Sequence, residues 1–95
     1  TIEDGYEASK EAILHILRIL KDELGDLSRI IQIVKVYGMV NSTDNFTDQP
    51  SVIDGASDLL VEIFGERGKH ARSAVGVAQL PHNMAVEIEI IVEFE

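Results

Sequence analysis

The residues from Met84 to Glu95 constrain the fold most strongly, because apolar and charged residues alternate along much of this stretch. Such period-two alternation is typical of a β-strand with one buried face. The run from Arg72 to Ala78 is a second candidate strand, and the residues from Leu80 to Asn83 indicate a turn between the two. We therefore predict a closing antiparallel hairpin whose first strand directs Val75 and Val77 into the core.

This hairpin predicts a group of charged side chains on the face opposite the core. If the apolar faces of the two strands coincide, Arg72 lies on the same side of the sheet as Glu87 and Glu89. A guanidinium offers paired donors that match a carboxylate, and a partly buried Glu87 would serve as a base that orients water. The alternative is a salt bridge across the hairpin from Arg72 to either glutamate, which contributes little if it is exposed.

Two helices precede and divide the strands. Apolar residues recur at three- and four-residue spacing from Ile2 to Leu24, with Thr1 at the capping position and Gly25 at the expected end. A second apolar stripe runs from Val52 to Phe64, with Pro50 in the first turn of that helix. The sequence of these segments predicts two helices that are each apolar on one side.

The segment between the helices, from Arg29 to Asn41, is rich in β-branched residues and apolar on both faces. It predicts a strand covered on both sides, with Ile30, Val34 and Val36 on one face and Ile33 on the other. The order α-β-α-β-β favours a two-layer α+β sandwich, with both helices on one face of a mixed sheet. We expect the strand–helix–strand unit to be parallel with a right-handed crossover.

Composition limits the partners of the protein. Its 95 residues suit a single domain spanning residues 1–95, and the formal net charge of -9 argues against nucleic acid and anionic membranes as partners. With no cysteine and no histidine pair at ligand spacing, we expect no metal site. No membrane span or signal peptide is evident, so we expect a cytoplasmic protein. The apolar outer sheet face predicts a homo-oligomer packed sheet to sheet.

Several motifs from Val34 onward resemble one family, that of the RidA reactive intermediate deaminases, also called the YjgF or L-PSP endoribonuclease-like family. The stretch VKVYGMVNSTDNF is similar to the central strand of that family and the loop after it. The most specific matches are three short motifs at family spacing, namely Ala71-Arg72-Ser73, Leu80-Pro81 and Glu87-Ile88-Glu89.

The resemblance implies a chorismate-mutase-like fold, assembled as a homotrimer with ligand clefts between subunits. It implies that Arg72, with Ser73 and Ala74 beside it, binds a substrate carboxylate, and that Glu87 positions the attacking water. The chain departs from the family in three respects: it has no counterpart of the usual N-terminal strands, it has Ala74 in place of a cysteine, and it has Asp54 near the place of an asparagine.

Three functions follow as hypotheses. The first is hydrolysis of 2-imino acids or enamines to 2-keto acids and ammonia, without metal or cofactor. The second is a non-catalytic trimer that binds small carboxylates through Arg72. The third is ribonuclease activity, which the net charge of -9 makes the least favoured. We also expect His70, two residues before Arg72, to border the cleft.

Overall fold

The computed structural model describes residues 1–95. Helix α1 spans Ile2–Leu24, as the periodicity predicts. The Thr1 hydroxyl accepts a hydrogen bond from the Asp4 amide at 3.1 Å, which satisfies one of the free donors at the start of the helix. Gly25 ends the helix with φ of 85°, a backbone conformation that glycine adopts without steric cost.

Helix α2 spans Gln49–Phe64, with Pro50 in its first turn and Gly65 after its end. It packs against α1 through Ser9, whose side chain is fully buried. The Ser9 hydroxyl lies 2.6 Å from the Val52 carbonyl oxygen and accepts from the Ala56 amide at 3.1 Å. The two helix backbones approach closely at Gly55, where a Cβ would clash with α1.

Three strands form one sheet beneath the helices: β1 (Ile30–Asn41), β2 (Ala71–Val77) and β3 (Val86–Phe94). Their order in the sheet is β2-β1-β3, with β2 parallel and β3 antiparallel to β1. Both helices pack on one face of this mixed sheet, which confirms the predicted two-layer α+β sandwich and the parallel strand–helix–strand unit. No helix combines the length and the apolarity needed to cross a membrane.

The predicted hairpin of the last two strands is wrong. Strands β2 and β3 do not pair with each other, because β1 lies between them. The connection over residues 78–85 carries the chain across the end of β1, where the Asn41 amide donates to the Ala85 carbonyl at 2.9 Å. Within it, His82 and Asn83 adopt positive φ values of 57° and 54°. This order gives β1, the longest strand, two hydrogen-bonded neighbours, whereas a hairpin would have left one of its edges free.

The predicted division of β1 into two faces is wrong in its first half. Ile33, which we assigned to the face opposite Val36, is fully buried with it. Val34, which we assigned to the same face as Val36, is 44% exposed. The pairing of β1 with β3 shifts register between Ile30 and Gln32 and again between Ile33 and Lys35. Each irregularity breaks the two-residue alternation of side chains, which a pattern of uniformly apolar residues does not reveal.

Candidate functional site

Arg72 lies near the start of β2, on the face of the sheet that the helices cover. Its register partner in β1 is Val36, a fully buried core residue, and directly paired side chains share one face of a sheet. Arg72 Nη1 donates to Asp54 Oδ1 at 2.7 Å and to Ser57 Oγ at 3.3 Å. The Arg72 side chain is 26% exposed and that of Asp54 is 47% exposed, so the ion pair borders solvent.

Helix α2 supplies both of these partners. Asp54 and Ser57 are three residues apart, a spacing that puts them on the same side of a helix, and this side faces β2. Ser57 Oγ also lies 2.9 Å from His70 Nε2, and His70 Nδ1 lies 2.6 Å from the Gly68 carbonyl oxygen. Four side chains from α2, β2 and the segment before β2 therefore form one polar cluster: Asp54, Ser57, His70 and Arg72.

Donor and acceptor roles in this cluster follow from the carbonyl group at its end. A carbonyl oxygen only accepts, so the proton of the neutral His70 ring resides on Nδ1, and Nε2 is left as an acceptor. When the His70 ring is neutral, the Ser57 hydroxyl therefore donates to His70 Nε2 and presents a lone pair to Arg72 Nη1. Each of the two contacts of Arg72 uses the same nitrogen, Nη1.

Glu87 and Glu89 lie on the opposite face of the sheet from Arg72. Glu87 pairs with Met39 and Glu89 with Tyr37, and Tyr37 is the immediate neighbour of buried Val36 along β1. Because successive residues of a strand point to opposite faces, both glutamates point away from the helices. The predicted grouping of Arg72 with Glu87 and Glu89, and the alternative salt bridge across a hairpin, are therefore wrong within one chain.

The other two predicted site residues, Ser73 and Ala74, also lie on opposite faces of the sheet. Ser73 points to the outer face, where its hydroxyl accepts from Lys35 Nζ at 2.8 Å. Ala74 packs against the core on the inner face. The prediction that Val75 and Val77 face the core is wrong. Val75 pairs with Met39 and Val77 with Asn41 on the outer face, while Arg72, Ala74 and Gly76 point toward the helices.

Three cavities open on the surface, and none of them is lined by Arg72 or Asp54. One of about 520 Å³ lies between the first turn of α1 and the end of β1, and one of about 270 Å³ lies beside the loop after β1. A groove of about 530 Å³ separates α1 from β3 and is lined by His15 and Glu87, among others. No three His, Cys, Asp or Glu side chains come together as metal ligands would. In one copy of the chain, Arg72 is therefore partly exposed and lines none of these cavities.

Ser57 is the member of the cluster that sequence reasoning missed. The available signal was the spacing of Asp54 and Ser57, which puts these two polar residues on one side of the helix. His70, expected at the border of a cleft, contacts Ser57 and so belongs to the polar cluster that contains Arg72. Its role in holding a hydroxyl could not be read from the sequence, because it depends on the Gly68 carbonyl.

Comparison with known proteins agrees with this fold. Residues 1–94 match the family model described as "YjgF/chorismate_mutase-like, putative endoribonuclease". The chain belongs to this family. It is 46% identical over 94 residues to protein TCP17 of Trypanosoma cruzi. The YjgF-like resemblance predicted from the motifs around Arg72 and Glu87 is thereby confirmed.

Two solved structures are very similar to this YjgF-family chain. Atu1372 of Agrobacterium tumefaciens, a protein described as of unknown function, is 43% identical and superposes with a TM-score of 0.98 over 100% of the chain. A putative endoribonuclease of Shewanella oneidensis MR-1 is 38% identical, with a TM-score of 0.95 over 99% of the chain. The chain spans 59% of the length of TCP17 and 61% and 62% of these two structures.

Proposed function

We propose that this YjgF-family chain binds a small carboxylate through Arg72 and takes part in hydrolysing 2-imino acids or enamines to 2-keto acids and ammonia. The observation that carries the proposal is the hydrogen bonding of the Arg72 guanidinium. Protein groups engage only Nη1, and the side chain is partly exposed. The edge formed by Nε and Nη2 is therefore free to donate two parallel hydrogen bonds to one carboxylate.

The proposed chemistry needs a second group that orients water, and the resemblance to the RidA deaminases points to Glu87. Water would add to the imine carbon while Glu87 takes its proton, and the resulting carbinolamine would release ammonia to leave the keto acid. Since Glu87 and Arg72 lie on opposite faces of one sheet, we propose that a neighbouring copy supplies Glu87. The pocket would then form between subunits.

The outer face of the sheet supports an assembly of this kind. Its apolar side chains include Tyr37 and Ile91, which are 38% and 60% exposed in the single chain. Large apolar side chains that are exposed on a sheet face favour contacts between proteins, and identical copies commonly associate with closed symmetry. We propose a homotrimer, in line with the resemblance described above.

A direct test is the rate of imine hydrolysis with a freshly generated 2-imino acid. We expect the purified protein to accelerate hydrolysis above the buffer rate, and we expect Arg72→Lys to lose most of this acceleration, because the charge remains while the paired donors are lost. Arg18→Lys, on the exposed side of α1, is the matched control and should behave as the unmodified protein. Equal rates for Arg72→Lys and the unmodified protein would refute the assigned role of Arg72.

A second candidate function is non-catalytic binding of small carboxylates. The separation of Arg72 from Glu87 within each chain favours it, as does Ala74 in place of the cysteine of the RidA deaminases. Retained carboxylate binding without any hydrolysis above buffer would establish this function and exclude the deaminase. The word endoribonuclease in the family description names a third activity, which the net charge of -9 opposes.

A further inference from the structure

We infer that Ser57 and His70 are positioning residues for Arg72, which fix its guanidinium so that the Nε–Nη2 edge faces the carboxylate ligand. This inference rests on the proposed carboxylate binding at Arg72. It assigns a function to two polar residues that neither touch the proposed substrate nor line a cavity of the chain.

His70 links Ser57 to the backbone at Gly68. Its ring is anchored by the hydrogen bond of 2.6 Å between Nδ1 and the Gly68 carbonyl oxygen. Gly68 is itself buried against α2, where a Cβ would clash with the Leu60 backbone. The Nε2 atom therefore has a defined position relative to α2, and in the neutral ring it accepts a hydrogen bond.

The Ser57 hydroxyl lies between His70 and Arg72. A serine hydroxyl rotates freely and can donate or accept, but donation to His70 Nε2 at 2.9 Å removes this freedom. The oxygen then presents a lone pair toward Arg72 Nη1 at 3.3 Å. Without the histidine, the hydroxyl could direct its own proton at the cation instead.

Two contacts of Nη1 restrict the orientation of the Arg72 guanidinium. Asp54 and Ser57 contact Nη1 from residues three positions apart on a rigid helix, and two such contacts restrict rotation about the last bonds of the arginine side chain. A planar guanidinium with Nη1 fixed at two points has one orientation for its remaining donors. Holding a flexible side chain in its binding orientation before the ligand arrives raises affinity, because less entropy is lost on binding.

The experiment uses nuclear magnetic resonance of the Arg72 Nε–Hε group, with pyruvate as the carboxylate probe and methyl pyruvate as a probe without the carboxylate. In the unmodified protein, pyruvate should shift the Arg72 resonance and methyl pyruvate should not. In the ligand-free Ser57→Ala and His70→Gln variants, the Arg72 Nε–Hε group should become more mobile on the nanosecond timescale. Pyruvate affinity should fall about three- to tenfold in each variant.

Three controls separate positioning from general damage. Ser57→Thr retains a hydroxyl and should restore Arg72 rigidity and most of the pyruvate affinity. Ser28→Ala removes an exposed serine hydroxyl before β1, and His15→Gln removes an exposed histidine from α1; neither should alter the Arg72 resonance. Circular dichroism of every variant establishes that it folds.

Two failures can be told apart. If folded Ser57→Ala and His70→Gln leave both Arg72 mobility and pyruvate affinity unchanged, the positioning role is refuted, while binding at Arg72 stands. If the unmodified protein shows no pyruvate-dependent shift of Arg72, the proposed carboxylate binding is refuted. The ligand-free mobility of Arg72 then still decides whether Ser57 and His70 hold the guanidinium.

Discussion

The Arg72 guanidinium lies 2.7 Å from the Asp54 carboxylate and thereby joins edge strand β2 to helix α2. An ion pair this exposed contributes little to stability, because water screens the attraction and two side chains lose conformational freedom. Its larger consequence is for ligand binding, since the carboxylate of Asp54 neutralises part of the positive charge that an anionic ligand would meet.

We expect Asp54→Asn to change the free energy of unfolding by less than about 1 kcal/mol and to strengthen pyruvate binding. The asparagine carbonyl can still accept from Arg72 Nη1, whereas the competing negative charge is gone. Urea denaturation and a pyruvate titration measure the two effects, with Asp44→Asn in the exposed loop as the control. Weaker pyruvate binding in Asp54→Asn would mean that the charge of Asp54 is needed to orient Arg72.

The buried contact between α1 and α2 gives a prediction about stability. Ser9→Ala should lower the free energy of unfolding by roughly 1–3 kcal/mol, because the hydroxyl is fully buried and its hydrogen bonds to the backbone of both helices are lost. Urea denaturation checks this, and Thr47→Ala on the exposed loop should stay within about 0.5 kcal/mol of the unmodified protein. A Ser9→Ala variant as stable as the control would contradict a stabilising role for this contact.

A hydrogen bond of 2.8 Å from the Tyr6 hydroxyl to Asp58 Oδ2 predicts a pH dependence. This bond to the carboxylate, with partial desolvation, raises the pKa of the Tyr6 phenol above 10.0. A folded-state pKa above the unfolded value means that the contribution to stability is fully present below pH 10.0 and is lost as pH rises through the folded pKa.

Tyr6→Phe should therefore be less stable than the unmodified protein at pH 8, and the difference should shrink as pH rises beyond 10.0. Urea midpoints measured from pH 8 to about pH 11 test this, within the range where the rest of the fold survives. Tyr37→Phe provides the matched control for the general effect of alkali on tyrosine. A stability difference between Tyr6→Phe and the unmodified protein that does not vary with pH would exclude the linkage.

The exposed apolar face of the sheet gives a prediction about assembly. If copies associate through this face, Ile91→Lys should lower the molar mass measured by light scattering, because burying an unpaired ammonium group at an interface is costly. Val61→Lys replaces a comparably apolar residue on α2, 39% exposed, and should leave the molar mass unchanged. An oligomer unaffected by Ile91→Lys, or a protein that is monomeric without any substitution, would exclude association through this face.

Much of the fold could be predicted from local patterns. The bounds of α1 follow from Thr1 and Gly25, whose side-chain and backbone chemistry act within a single turn of the helix. The buried side of β3 follows from its alternation, since Val86 and Ile88 face the core while Glu87 and Glu89 do not. Each of these features is decided by residues that are close together in the chain.

The face of Arg72 could not be predicted in this way, because it depends on residues far apart in sequence. Val75 and Val77 are more apolar than Ala74 and Gly76, and apolarity alone favours them for the core. The inner face of β2 instead carries Ala74 and Gly76 together with Arg72, whose guanidinium pairs with Asp54 of α2. An alternation pattern also cannot distinguish a β2–β3 hairpin from a sheet with β1 in the centre, because both arrangements bury the same side of β3.

The central place of β1 has a consequence for how the sheet comes apart. Strands β2 and β3 each hydrogen-bond to β1 and not to one another, so an excursion that detaches β1 leaves both neighbours without a partner at the same moment. Partial opening confined to the middle of the sheet is therefore not available. Backbone amides from Val36 to Val40 should exchange with solvent deuterium only when the whole molecule unfolds, and those of β2 and β3 that bond to β1 should exchange no more slowly than these.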